Sequence, residues 1–362
     1  MSKLLVSLQI ISLLIIPLAP NLDTNLVDMA NLATDEPLSI ILMIGDGMGY
    51  EHVKLARLVE FGENGSLVMQ DSDWNASVTT HSADAAVTDS AAAATAIATG
   101  NKTNNGFVSL SPSLVSLETI LEFAQFQNKS TGIVATSQLT HATPACFMTH
   151  IDNRNNYTEI ARQIVEEANV DVLLGGGLDH FIGSQISTMI ANGYSVIFNR
   201  TELAGISSGK VLGLFSNSHM DYEYDRNYDV QPSIAEMTSK SIEILSQDSD
   251  GFFLMVEGSR IDHAAHAEDK FRNALDTIAF DKAVDVALNY VENNINTILI
   301  VTADHETEGL VVLSHNLNSE LPDDLVLEEN KRTLRFARVN NVTVDWTATY
   351  HTDWPVPLFC YG

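Results

Sequence analysis

Cysteine is nearly absent from this chain: 362 residues hold two, Cys146 and Cys360, far apart and each flanked by apolar neighbours. That excludes a disulfide framework and predicts two buried free thiols. Positive charge is scarce too. Nineteen Lys and Arg stand against 47 Asp and Glu, for a formal net charge of −28. Such a surface repels nucleic acid and anionic lipid, which argues against polynucleotide binding. Aromatic residues make up only 7%, yet hydrophobic residues reach 45%, so the chain is globular, not disordered. The apolar run Leu4 to Ile16 is short for a membrane span. Behind Lys3 and ahead of Pro17-Leu18-Ala19-Pro20, it reads as a secretory leader or an uncleaved N-terminal anchor over residues 1–20. Residues 21–37 then read as a polar linker. Asn-x-Ser/Thr sequons at Asn64, Asn75, Asn101, Asn128, Asn156, Asn199 and Asn341 suit an exported protein, whether periplasmic, cell-surface or extracellular.

What the chain has is alternation. Apolar β-branched runs (39–44, 132–136, 170–174, 195–198, 251–256, 297–302, 309–313 and 356–361) alternate with helical periodicity (50–61, 90–98, 116–127, 156–168, 232–246 and 270–291). Near-continuous apolar strands with helices between them predict a mostly parallel sheet covered on both faces, a three-layer α/β/α sandwich. In such sheets ligands bind beyond the carboxyl ends of the strands. The chemistry-bearing residues fall there. The runs 40–44, 252–256 and 298–302 lead straight into Asp46, Glu257 and Asp304, so three strands deliver a carboxylate to one edge.

Each motif alone has an ordinary explanation. Ser90 precedes an alanine-rich helix and would normally be an N-cap, but a hydroxyl there can also hold or become a phosphate. Asp46, between Gly45 and Gly47, suits an Asx-turn or the close approach of a metal. Asp262 and His266 are one helical turn apart, as in a surface ion pair or a helical zinc site. Asp304-His305 adds a second carboxylate–imidazole pair suited to zinc, while Thr143 and Glu257 offer oxygens suited to magnesium. A lone His351 is usually structural. Arg154 could grip a phosphate with its planar fork.

Together they spell a family. Gly45-Asp46-Gly47-Met48-Gly49, Val87-Thr88-Asp89-Ser90-Ala91-Ala92, Thr140-His141-Ala142-Thr143-Pro144-Ala145, the run from Glu257 to His266, and Thr302-Ala303-Asp304-His305-Glu306-Thr307 resemble the alkaline phosphatases, in the family's order, from about residue 38 onward. The resemblance implies an alkaline phosphatase-like catalytic domain over 38–362 that hydrolyses phosphate monoesters through a phosphoserine at Ser90. It further implies two zinc ions and one magnesium ion. Asp262, His266 and His351 would hold the first zinc, and Asp46, Asp304 and His305 the second, with the Ser90 oxygen joining. Asp46, Thr143 and Glu257 would hold magnesium, and Arg154 would clamp the phosphate.

Best-known bacterial members carry Asp and Lys where this chain has His141 and His263, whereas animal members resemble the histidine pattern. His141 is therefore expected beside the magnesium site without ligating it, and His263 near the phosphate through water. Members often place an insert contributing to the homodimer interface between the positions of His305 and His351, and here that stretch is short. The chain also ends on the strand-like run 357–362, where relatives usually continue into a helix. Two other readings compete with this one. A phosphodiesterase or phosphonate hydrolase on the same two-zinc core would usually lack the Glu257–Thr143 set, and an acidic metal-binding or cell-surface protein on an inactivated phosphatase scaffold would have lost a ligand or nucleophile.

Overall fold

A computed structural model describes residues 38–317 and 328–362, so the expected leader and linker lie outside the described residues. Nine strands form the central sheet: β1 (Ser39–Gly45), β2 (Trp74–Val78), β3 (Ser130–Gln138), β4 (Val172–Gly176), β5 (Ser195–Ile197), β6 (Val211–Leu214), β7 (Phe252–Glu257), β8 (Thr297–Ala303) and, after four short strands, β13 (Val356–Tyr361). Their spatial order is β2-β13-β8-β1-β7-β3-β4-β6-β5. β13 lies antiparallel to both of its neighbours, and the remaining pairings are parallel.

The pleat explains why these runs are apolar on both sides. Ile41 and Met43 of β1 join one buried cluster with the helices Tyr50–Phe61, Ile234–Leu245 and Lys270–Glu292. Leu42 and Ile44 join a second with the helices Ser90–Thr99, Ile120–Phe126, Ala142–Met148 and Tyr157–Gln163. Successive side chains point to opposite faces, so a strand covered twice has no polar side to show. The expected three-layer sandwich is what the chain forms.

The differences have local causes. The helix expected from 116 begins at Ile120, because Thr119 and Glu122 close a capping box: Glu122 N–H donates to Thr119 Oγ1 at 3.1 Å and Thr119 N–H to Glu122 Oε2 at 2.8 Å. The run at 309–313 does not enter the central sheet. It becomes β10 (Leu310–His315), paired with β11 (Val342–Trp346) in a separate two-stranded sheet. A second small sheet pairs β9 (Glu306–Thr307) with β12 (His351–Thr352). β2 lies at the edge of the sheet, where its short alternation of Trp74, Ala76 and Val78 with Asn75 and Ser77 stays mostly exposed and marks no buried run. Both cysteines are free, but only Cys146 is buried; Cys360 is half-buried, which corrects the expectation for it.

Candidate active site

β8, β1 and β7 lie side by side at the centre of the sheet, in a register that pairs Ile44 with both Thr302 and Glu257 and Gly45 with Ala303. The strands therefore end level, and Asp46, Glu257 and Asp304 emerge at one edge. All three are almost or completely buried. Gly47 permits the turn: its φ is +70°, and a Cβ there would lie 2.7 Å from Thr307 Oγ1.

Three groups of potential ligands converge beyond that edge: Asp46, Asp304 and His305; Asp262, His305 and His351; and Asp46, His141 and Glu257. His305 Nε2 lies 3.5 Å from Asp46 Oδ1 and 3.3 Å from Asp304 Oδ2. On the helix Arg260–His266, His266 Nε2 stands 3.4 Å from Asp262 Oδ1, and His351 Nε2 is 3.7 Å from the same oxygen. β9 and β12 pair His351 with Thr307, and the rings of His305 and His351 stack 3.5 Å apart.

The outer nitrogens set the inner ones. His351 Nδ1 meets the Thr88 carbonyl at 2.9 Å, His266 Nδ1 the Glu308 carboxylate at 2.9 Å, and His305 Nδ1 the Thr307 hydroxyl at 3.2 Å. Each Nδ1–H is thus used outward, which turns three Nε2 lone pairs inward. Two of them, on His266 and His351, face each other at 3.2 Å. Lone pairs in that arrangement ask for a cation between them.

The carboxylates ask for the same. Both oxygens of Asp46, one each of Asp304 and Glu257, the Thr143 hydroxyl and His141 Nδ1 are buried without a hydrogen-bond partner. An unpaired buried charge is costly, and groups in that position shift toward neutrality or hold a metal. Burial and the neighbouring carboxylates push Asp46 well above the usual carboxylate range. Burial likewise lifts Glu257 to about 7 and Asp304 to about 8. Burial would raise Asp262 as well, but His266 and His351 beside it hold it below its ordinary value. The mixed carboxylate–imidazole sets suit a borderline cation such as zinc, and the oxygens of Asp46, Glu257 and Thr143 suit a harder one.

Ser90 opens the helix Ser90–Thr99 without capping it. The N-cap is Asp89, whose Oδ1 accepts Ala92 N–H at 2.9 Å. That corrects the ordinary reading of Ser90 and leaves its hydroxyl directed at His305 Nε2, 3.2 Å away. Asp89 Oδ2 also holds Arg154 Nη1 at 2.9 Å, so one carboxylate fixes both the start of the helix and the guanidinium. Burial opposes the Arg154 charge, but Asp89 outweighs it and keeps the guanidinium charged.

A family model for alkaline phosphatase matches residues 38–322. Alkaline phosphatase 3 of Bacillus subtilis is 37% identical over 288 residues, 76% of this chain and 62% of its own length. The chain thus spans less than two thirds of that relative. The chain belongs to the alkaline phosphatase family. A cold-active alkaline phosphatase from a psychrophilic Shewanella shares the fold with a TM-score of 0.79 and 31% identity, over 90% of this chain and 94% of that one. A mutant of TAB5 alkaline phosphatase, solved with magnesium bound, gives a TM-score of 0.76 at 28% identity, covering 90% and 91% of the two chains.

In this alkaline phosphatase-family chain, the residues named from sequence come together, with one difference in placement. His141 stands at ligand distance with Asp46 and Glu257 instead of one step removed. His263 packs against His141 and the unforeseen His219, at ring distances of 5.4 and 4.4 Å, and meets Arg260 Nη1 at 2.9 Å. Burial pulls His263 down to about 3 and His219 to about 4, so both are neutral at physiological pH. Sequence reasoning also missed Asp89 and Glu308. Asp89 was readable, since an Asp just before a helical run is a standard cap. Glu308 carried no signal.

Proposed function

We propose that this chain is a metal-dependent phosphomonoesterase, an alkaline phosphatase that works through a phosphoserine at Ser90. The observation that carries the reading is the nucleophile's setting. A nearly buried hydroxyl (2% exposed) at a helix N-terminus lies 3.2 Å from His305, which belongs to two of the three groups of metal-type ligands, and several buried oxygens of those groups have no hydrogen-bond partner.

Asp262, His266 and His351 would hold one zinc ion, and Asp46, Asp304 and His305 a second, with the Ser90 oxygen against it. Asp46, Thr143 and Glu257 would hold magnesium, with His141 beside them. Bound there, the cations would favour ionisation of the serine hydroxyl and neutralise charge on the departing oxygen. Arg154, steadied by Asp89, orients the phosphate and takes up charge on its non-reacting oxygens. Ser90 Oγ attacks phosphorus in line as the bond to the leaving alcohol breaks. The serine proton goes to solvent, and the alkoxide takes one from water. A water then attacks the phosphoserine from the opposite side, returning Ser90 and inorganic phosphate. Small phosphate monoesters are the proposed substrates. Export, from the N-terminal run and the sequons, is proposed with it; among the described residues no helix is long and apolar enough to cross a membrane.

Ser90→Ala tests the covalent step. Turnover should fall by roughly three orders of magnitude or more, the scale on which losing a covalent nucleophile acts. Metal content should persist, and acid-trapped phosphoprotein should vanish. Phosphate label surviving in the variant would remove Ser90 from the mechanism.

A further inference from the structure

Glu308 is an anomaly that the reaction above does not use. It links β9 to β10 with a φ of +64°, a left-handed conformation that strains a residue bearing a side chain. It is also 4% exposed, an uncommon place for a glutamate. The backbone contacts at this position, Glu308 N–H to Tyr350 O at 2.9 Å and Ala348 N–H to Glu308 O at 3.0 Å, need no particular side chain. A glycine would make both without strain. Two unfavourable features therefore coincide on one residue, and its side chain must account for them.

That side chain ends on His266. Glu308 Oε1 lies 2.9 Å from His266 Nδ1, while His266 Nε2 turns toward Asp262 and His351. Its two counterparts are oriented by neutral oxygens, His351 by the Thr88 carbonyl and His305 by the Thr307 hydroxyl. Only His266 has a carboxylate behind it. It is also the ring with most freedom: its side chain is 31% exposed, against 3% for His351 and 0% for His305. A half-exposed ligand at the end of a seven-residue helix is the one that packing holds least.

We propose that Glu308 is a positioning residue for His266. Resting on the metal-dependent reading above, it holds His266 with its proton on Nδ1, aims Nε2 at the first cation and strengthens that nitrogen as a donor, at the cost of a strained turn. Carboxylate–histidine–metal relays act in this way, and losing the outer partner typically lowers metal affinity about 10- to 100-fold.

The design predicts opposite signs for two measurements. Glu308→Gly should leave the melting temperature of the metal-free protein unchanged or raised, because the turn is relieved. The same change should weaken one of the two zincs about 10- to 100-fold in competition with a chromogenic zinc chelator. Glu308→Gln, which keeps an oxygen acceptor but not the charge, should fall between the two. Cobalt substitution gives a reading independent of turnover, since the visible spectrum of the first site should change in Glu308→Gly. Unchanged zinc competition in both variants overturns the inference. So does a variant that loses metal-free stability along with zinc, which would make Glu308 merely structural. A wild-type protein that holds no zinc at all would instead bring down the metal-dependent reading, and this proposal with it.

Discussion

Asp46 concentrates the logic of the site in one residue. It is fully buried, both its oxygens lack a hydrogen bond, and it belongs to two of the three ligand groups. No isolated carboxylate would be kept that way, so its surroundings make sense only with positive charge supplied. The turn that delivers it depends on Gly47. Gly47→Ala would put a methyl 2.7 Å from Thr307 Oγ1 and 3.0 Å from the Asp262 backbone, at a φ unfavourable to any side chain. We expect the variant to lose at least about 1 kcal/mol of stability. It should also lose zinc disproportionately, because Thr307 braces both His305 and Asp262. Chemical denaturation alongside metal analysis checks this, and a variant with wild-type zinc content would show that the turn tolerates what the geometry forbids. Asp46 was readable in sequence because glycines flank it. Glu308 was not, because its meaning rests on a backbone angle and on a histidine 42 positions away.

Among the elements, the helix Ser90–Thr99 shows how one cap serves two purposes. Asp89 accepts Ala92 N–H, Gly106 N–H and the Arg154 guanidinium, tying helix start, loop and guanidinium together. Asp89→Ala should cost about 1 kcal/mol for the lost cap, and it should free Arg154, raising the inhibition constant for inorganic phosphate. Arg154→Ala should raise that constant too while leaving zinc content intact. Thermal melts and phosphate inhibition of both variants separate the roles. If phosphate inhibits Asp89→Ala as well as it does the native chain, Asp89 does not position Arg154. The strands that matter most, β1, β7 and β8, were legible because burial on both faces leaves a continuous apolar signature. β10 was misplaced because its apolar run looks the same whether it joins the large sheet or a small one. The edge strand β2 and the two-residue strands β9 and β12 are held by tertiary pairing, and local sequence does not encode that.

For the whole molecule, a net charge of −28 and a cluster of four buried carboxylates make stability depend on metal and pH together. In the metal-free protein, Glu257 near 7 and Asp304 near 8 titrate above their unfolded values. The folded state then binds more protons than the unfolded one, so their stabilising contribution is complete at low pH and is lost as pH rises through 7 to 8. A carboxyl held near 7 instead of 4.5 loses roughly 3 kcal/mol in total as pH rises from the lower value to the higher. The buried histidines act with the opposite sign. His141 and His305 are pushed well below 6.5, chiefly by burial, and penalise folding only as pH falls below that value. Above about pH 6.5 those two histidines no longer contribute, and up to about pH 8 the carboxylates set the slope of this cluster. The melting temperature of chelated protein should therefore drop across that window, while the metal-loaded protein stays level. A chelated protein with a flat profile there would mean that the carboxylates ionise without cost.

The proposed function requires these clusters to hold cations for the hydrolysis of phosphate monoesters. The most direct test is to strip the purified protein with a chelator, return zinc and magnesium, weigh the bound metal and assay a monoester beside a diester. The stripped protein should take back two zincs and one magnesium per chain, with monoesterase activity restored and the diester a poor substrate. Restored metal with a preference for the diester, or full activity in the stripped protein, would contradict the proposed function.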